Sequence, residues 1–378
     1  MPEITPIPLA QLTTLRTGAA PARMWDAETR EELIDALQHV WAEGEPWLVL
    51  GGGSNLFVGD EPFEGTVIRV LTSGIETLPA PAPGIRRLRV QAGHSWDDFV
   101  AYTVERGLAG VAAMSGIPGT VGAAPVQNIG AYGQEVVQTL VEVELIDERT
   151  GEIQIVPAAE LGLGFRTSVL KHHYGSVPDR SAVILSVTFD LAEVGPGERR
   201  IRGEQLRAAL GLAEDDTVTL GWVREHVLTT RARKGMVLDD EDPDTFSAGS
   251  FFQNAVVSAS FARTLPEECP QWPVHPDKDE ALVIPLEQFD GYIPPARHAE
   301  SDVKVSSAWL IEHSGIGKGF RFPRSRAGVS TKHALALTNR GEANAEEIAE
   351  LARFIQGRVQ SEFGLILQPE PVLVGVEL

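Results

Sequence analysis

The chain has 378 residues and a formal net charge of −21, with 53 acidic against 32 basic side chains. That length exceeds what one hydrophobic core serves, so two or three domains are expected, and the acidity argues against a nucleic-acid or anionic-membrane partner, whose phosphates it repels. The single cysteine, Cys269, rules out an intramolecular disulfide and a multi-cysteine metal site.

Met1-Pro2-Glu3-Ile4-Thr5-Pro6 lacks the basic and apolar regions of a signal peptide. No run approaches the roughly 18 apolar residues of a membrane helix, so a cytoplasmic protein is expected. Thr29 and Glu32 form a capping-box pattern ahead of Leu33, Ile34, Leu37 and Val40, which predicts a helix over 29–41. Trp47–Leu50 reads as a buried strand and Thr66–Val70 as a second. This βαβ-like opening suits a mononucleotide-scale ligand at its strand ends. Residues 86–91 alternate as a strand, and Ser95 caps a helix to Arg106 with Trp96, Phe99, Val100 and Val104 on one face. Val141, Val143 and Leu145, the turn Glu148-Arg149-Thr150-Gly151, then Ile153 and Ile155 predict a hairpin. A further strand covers 181–191, which makes this region an antiparallel α+β domain. Residues 192–200 read as a loop, 239–245 as an acidic turn, and 266–276 as proline-rich chain without regular structure. Asn344 caps a strong helix whose face is Ile348, Leu351, Ala352, Ile355, Val359 and Phe363, and Gly364 stops it. The strand region 365–376, broken by Pro369 and Pro371, is expected to return to an earlier sheet.

The stretch from Ser115 to Gly133, SGIPGTVGAAPVQNIGAYG, packs glycine, proline and small residues too densely for a helix or regular strand. It carries too little charge for a disordered linker. Its main-chain groups need partners, and a large polar ligand meets that need. Val49-Leu50-Gly51-Gly52-Gly53-Ser54-Asn55-Leu56 makes the same offer. The triple glycine is neither a Walker A loop nor a G-x-G-x-x-G fingerprint. Alone it is a tight turn; beside 115–133 it reads as an anion nest for a pyrophosphate. Together the two loops predict a dinucleotide cofactor lying across both.

Other segments leave alternatives open. Gly93-His94-Ser95-Trp96-Asp97 lacks the final glycine of a nucleophile elbow, which argues against a hydrolase. Adjacent His172 and His173 do not make a metal site. Phe165-Arg166-Thr167-Ser168-Val169-Leu170-Lys171 is read near a helix start, as a solvated helix end or as a carboxylate or phosphate clamp. Ser250, within Ser247-Ala248-Gly249-Ser250-Phe251-Phe252-Gln253-Asn254, is a hydrogen-bonding residue or a proton donor. Arg231, Arg233 and Lys234 suit a diphosphate or form a surface patch. Glu370, between Pro369 and Pro371, is an edge residue or a buried acid with raised proton affinity.

These segments in this order resemble the UDP-N-acetylenolpyruvoylglucosamine reductase family, in its long-insertion form, from Leu12-Thr13-Thr14-Leu15-Arg16 to Pro369-Glu370. The most specific are 49–56, 115–133, Gly249-Ser250-Phe251-Phe252 and Ser307-Ala308-Trp309-Leu310-Ile311-Glu312. The resemblance implies an α+β fold of three domains. Two would form an FAD-binding unit like that of vanillyl-alcohol-oxidase flavoproteins, and the third an α/β substrate domain. The expected boundaries are 1–72 plus 364–378, then 73–237, then 238–363. It implies Arg166, Ser250 and Glu370 as catalytic residues. FAD would contact Gly51, Gly52, Gly53, Ser54, Asn55 and Leu56 of the first loop. From the second come Gly116, Ile117, Pro118, Gly119, Gly122, Ala123, Gln127, Asn128, Gly130, Ala131 and Tyr132. Lys234, Gly249, Asn254 and His313 would bind substrate, although His313 replaces the family's usual glutamine and Gly203 its usual tyrosine. The implied reaction uses NADPH and non-covalent FAD to reduce UDP-N-acetylglucosamine enolpyruvate to UDP-N-acetylmuramate for peptidoglycan. The expected protein is a monomer without metal, nucleic acid or membrane. The alternatives are another flavin oxidase or dehydrogenase, or a non-catalytic nucleotide binder.

Overall fold

The computed structural model describes residues 3–171, 178–274 and 302–378. Thr66–Val70 is a central strand with Arg23–Ala27 and Trp47–Leu50 parallel on either side, and Glu3–Ile4 antiparallel beyond. The intervening helix Arg30–Glu43 carries the reciprocal Thr29–Glu32 cap and ends at Gly44 with φ 68°. Its Leu33, Ala36, Leu37 and Val40 share a core with Trp25, Ile68 and Val70.

The larger sheet is antiparallel, in the order Ile153–Pro157, Leu140–Asp147, Ala182–Glu193, Ile85–Gln91, Ile75–Leu78. The expected hairpin pairs Val143 with Val156 and Leu145 with Gln154. Helix Trp96–Glu105, capped by Ser95, buries Trp96, Phe99 and Val100. The rings of Trp96, Phe99 and Phe189 lie 4.9 to 6.2 Å apart, and that contact fixes the helix on the sheet.

A second core joins Phe251, Phe252, Leu310 and Ile311 to Ile348, Leu351 and Ile355 of the long helix Ala345–Phe363. Asn344 and Glu347 cap that helix reciprocally, and Gly364 ends it at φ 72°. The chain then returns, and Val372–Val374 lies parallel to Leu56–Val58. Leu15 and Phe57 complete this core from the N-terminal side.

Four local features differ from the sequence reading. Residues 165–171 do not begin a helix. Gly164 N donates to Thr167 O at 3.1 Å, and Arg166 takes φ 54°, a left-handed conformation that breaks a helical run. Gln271–Pro273 is a strand after all, on the edge beside Asp302–Val305, where proline is tolerated. Strand Ala182–Glu193 extends past Leu191 because Ala192 pairs with Ile85 and Ala109. Helix Leu220–Arg233 was not anticipated, since it buries only Leu220, Val223 and Val227.

The acidic turn is an anchor. The Asp244 side chain is 5% exposed. It accepts from Thr331 N at 2.9 Å, from Thr331 Oγ1, and from Arg340 Nη1 at 2.6 Å. This ties the segment leading to Ser250 onto the C-terminal core. Burial alone raises the Asp244 pKa, but the bonds from Thr331 and Arg340 outweigh it and bring it to about 2. Asp244→Ala is expected to cost about 1–3 kcal/mol, because it leaves Thr331 and the partly buried Arg340 without their acceptor, as read by urea unfolding at pH 7. A carboxyl depressed in the fold stabilises fully above its unfolded pKa of about 3.9. That contribution is lost as pH falls through the folded value, so the gap between the two proteins closes between about pH 4 and 2. A gap unchanged by pH would assign the loss to packing instead.

Candidate active site

The two glycine-rich loops face each other. A Cβ on Gly52 would lie 2.6 Å from Gly119 Cα, and one on Gly51 2.7 Å from Thr120 Oγ1. No side chain fits there, so glycine sets the spacing. Ser54 Oγ donates to Pro118 O at 2.9 Å across the gap. Among the described residues, the N–H groups of Gly52, Gly53, Ser54 and Gly119 have no acceptor. Several unsatisfied donors in one cradle form an anion nest. The loops line a cavity of about 620 Å³, within the usual size of cofactor sites. All six residues Gly51 to Leu56 lie on its wall, with Ile117, Pro118, Gly119, Gly122, Ala123, Gln127 and Gly130. These residues fit a dinucleotide whose diphosphate takes the free N–H groups.

Gly116, Asn128, Ala131 and Tyr132 are not on that wall. Asn128 is fully buried. Its Nδ2 donates to Glu135 Oε2 and Gly164 O, and its Oδ1 accepts from Val137 N, so its side chain braces the loop. Gly116 N donates to Asp97 Oδ1 at 2.6 Å. Asp97 is gripped by both terminal nitrogens of Arg224 at 2.6 and 2.7 Å, which clamps helix Leu220–Arg233 to the loop. That helix delivers Arg231 to the cavity wall. Arg231 Nη2 donates to Met236 O at 2.9 Å, while Nε is buried without a partner among the described residues.

Arg166, Ser250 and Glu370 meet on the same wall. The left-handed turn points the Arg166 guanidinium inward, donating to Gly130 O at 2.8 Å and Asn128 O at 3.3 Å. Its Nε lies 3.4 Å from Glu370 Oε1. Glu370 arrives by backbone pairing. Phe252 bridges Pro369, Gln253 N donates to Gln368 O, and Glu370 N donates to Phe251 O at 2.8 Å. The same pairing places Ser250 beside Glu370, on a turn with Gly249 at φ 74°. Phe251 and Phe252 are fully buried behind it. Ser250 Oγ has no hydrogen-bond partner among the described residues. The Glu370 side chain is 15% exposed. Burial pushes its pKa up, against the opposing pull of Arg166 and Lys171.

Of the expected substrate residues, Gly249 is on the wall and Lys234, Asn254 and His313 are not. Lys234 is exposed, its Nζ 6.0 Å from the Tyr132 ring centre. Asn254 Oδ1 accepts from Ser307 N at 3.1 Å, which steadies the start of helix Ser307–His313. His313 is exposed and stacked on Trp309 at 3.7 Å. Ser95 accepts from Asp98 N, and His94 Nδ1 pairs with Ser73 Oγ at 2.9 Å, so neither forms a nucleophile pair. His172 and His173 lie outside the described residues. Sequence reasoning missed Thr120, Arg180 and Glu148 on the wall; Glu148 accepts from Trp47 Nε1 at 2.9 Å, a contact no local pattern announces. Among the described residues no cluster of three or more His, Cys, Asp or Glu side chains is placed to hold a metal. No helix among them is long and apolar enough to cross a membrane.

The parallel opening, the glycine cradle and the convergent Arg166–Glu370 pair define a nucleotide-cofactor enzyme, and residues 21–156 match the family model described as an FAD binding domain. Residues 242–374 match the C-terminal domain of UDP-N-acetylenolpyruvoylglucosamine reductase. Relatives carrying that enzyme's name include one from Leifsonia xyli, 47% identical over 99% of each chain. Another, from Nocardia farcinica, is 45% identical over 98% of this chain and 89% of its own. The crystal structure of the enzyme from Thermus caldophilus superposes with a TM-score of 0.60 at 25% identity, covering 99% of both chains. The chain belongs to the UDP-N-acetylenolpyruvoylglucosamine reductase family.

The Gly52 spacing predicts that Gly52→Ala forces the loops apart and weakens FAD binding about tenfold or more, equivalent to about 1.4 kcal/mol. Flavin fluorescence titration of the stripped protein measures this. Gly197→Ala, with open space around it, is the control. Equal affinity in both variants would remove the close approach from cofactor binding.

Proposed function

We propose that this chain reduces the enolpyruvyl group of UDP-N-acetylglucosamine enolpyruvate to the lactyl ether. The product is UDP-N-acetylmuramate, a cytoplasmic precursor of peptidoglycan. NADPH is the reductant and FAD is held without a covalent link. The observation that carries this reading is the convergence of Arg166, Ser250 and Glu370 on the wall that the two loops also line. Family membership supports the substrate class. In the same reading 1–72 plus 364–378 and 73–237 hold FAD, 238–363 closes over substrate, and the enzyme acts as a monomer.

The two glycine-rich loops would hold FAD, and when bound it would supply the two-electron chemistry that carries hydride from NADPH to the methylene carbon of the substrate. The chain does the rest. As that C–H bond forms, the π pair moves onto the neighbouring carbon and into the substrate carboxylate. In this reading Arg166 holds that carboxylate, since a fixed guanidinium fork stabilises charge where it develops. On the same reading Glu370 acts in its acid form, which burial favours, and donates a second hydrogen bond to the same charge. Ser250 gives its proton to the neighbouring carbon, which completes the ether, and recovers a proton from solvent. The exposed Lys234, its Nζ 6.0 Å from the Tyr132 ring centre, supplies in this reading a cation for the substrate diphosphate.

The direct test is NADPH consumption that depends on the enolpyruvyl nucleotide. Absence of that dependence would overturn the reading. Ser250→Ala should leave flavin reduction by NADPH nearly intact while slowing flavin oxidation by substrate more than the roughly 10²–10⁴-fold of ordinary acid–base catalysis. Stopped-flow absorbance separates the two steps, and equal slowing of both would make Ser250 structural. Since the acid form of Glu370 acts, oxidation by substrate should fall as pH rises through its raised pKa. Glu370→Gln, which donates but does not titrate, should be slower and lack that limb.

A further inference from the structure

Lysine is rarely fully buried unless its charge is matched, yet Lys171 is 2% exposed and on the cavity wall. Its Nζ donates to Gln127 Oε1 at 3.0 Å and to Arg166 O at 3.1 Å. Gln127 Oε1 also accepts from Asn55 Nδ2 at 2.9 Å, and the same Asn55 Nδ2 lies 3.4 Å from Glu370 O. Arg166 Nε then reaches Glu370 Oε1 at 3.4 Å. The contacts close into a ring, Asn55–Gln127–Lys171–Arg166–Glu370, that joins both cofactor loops to the acid and the cation of the reaction.

Within the ring Lys171 holds the carbonyl of Arg166, the residue at φ 54°. A non-glycine residue persists in that conformation only where its surroundings fix it. Without the ammonium donor the turn can relax, and the guanidinium loses its aim at Glu370. The charged groups acting on Glu370 are Arg166 and Lys171, and those acting on Lys171 are Glu370 and Arg166. Burial brings the Lys171 pKa down to about 8, Glu370 pulling it up and Arg166 down. At neutral pH the lysine is therefore mostly charged, and its loss removes one of the two cations that oppose the protonated form of Glu370.

We propose that Lys171 is a positioning residue for the reduction, holding the Arg166 turn, and with it the guanidinium that faces Glu370, against the cofactor loop. This rests on the reductase reading above. The test compares wild type, Lys171→Met, Lys171→Gln and Lys171→Arg as flavin-loaded proteins. Rates of flavin oxidation by the enolpyruvyl nucleotide are recorded against pH, with melting temperature and flavin reduction by NADPH alongside.

Lys171→Met should melt somewhat lower than wild type, because Gln127 Oε1 and the Arg166 carbonyl lose their donor while the cost of burying the ammonium is relieved. Its oxidation step should slow about 10- to 100-fold, the scale of a misplaced catalytic group, with flavin reduction within a few-fold of wild type. Its alkaline limb should move to higher pH, since removing a nearby positive charge raises a carboxyl pKa. Lys171→Arg, which keeps charge and donors, should recover part of the rate and keep the limb near the wild-type position. If Lys171→Met does not fold, Lys171→Gln decides by the same limb shift. A neutral, folded variant with wild-type oxidation rate and limb would overturn the proposal. So would activity lost only in proportion to stability, with both half-reactions slowed equally. Wild type that shows no oxidation by the enolpyruvyl nucleotide would sink the reductase reading instead, so the two failures are distinct.

Discussion

The Arg166–Glu370 contact constrains the whole molecule. It joins a residue near the middle of the chain to one near its C-terminus, so three separate pieces of folding must succeed before it exists. Strand Ala182–Glu193 must seat the preceding turn on the large sheet. The second core must bury Phe251 and Phe252 so that their backbone can pair with residues 368–370. The returning strand Val372–Val374 must dock beside Leu56–Val58. That last pairing sets Glu370 just before a strand whose neighbour emerges from the triple-glycine loop. The acid and the cofactor cradle are thus positioned by the same two strands.

The electrostatics invert between surface and site. The chain carries a net charge of −21, yet Arg166, Lys171, Arg180 and Arg231 all lie on the cavity wall. Cations withdrawn from water there are costly unless paired or hydrogen-bonded. Arg180 is offset by Asp147 at 3.1 Å. Arg231 is less well offset, with a buried Nε lacking a partner among the described residues. Such stored cost is the usual condition of a site built for an anionic ligand, because the fold has already oriented its donors. The acidic exterior then limits non-specific binding of phosphates elsewhere.

The sequence made the loops legible because glycine and proline density is a local property. Capping boxes at Thr29 and Asn344, and the alternation of the 140–157 hairpin, were legible for the same reason. Arg166, Ser250 and Glu370 stand out in their own segments with both functional and bland readings open, and only the family resemblance selects the catalytic ones. What escaped was whatever depends on packing. Nothing in the run from Phe165 to Lys171 shows that Arg166 turns left-handed or that Lys171 is buried, and the helical reading of that run failed there. His313 and Asn254 both lie off the cavity wall. Both sit in well-matched segments, but helix Ser307–His313 carries His313 onto Trp309 on its exposed side, and Asn254 is used by the helix start.

A closed ring of contacts behaves differently from a chain of them. Asn55 touches both Gln127 and the Glu370 backbone, so displacement of the first cofactor loop moves the acid and the amide together. Gln127 sits in the second loop, and its oxygen is shared between Asn55 and Lys171. Cofactor placement and carboxyl placement therefore cannot vary independently. Polar networks in low dielectric polarise one another and lose more than one bond when a member is removed, so replacements within the ring should couple rather than add. The design suits a reaction in which hydride and proton must arrive at adjacent carbons of one substrate. The geometry between the cofactor loops and the groups that hold the developing charge is the quantity the fold has to keep constant, and the ring spans both.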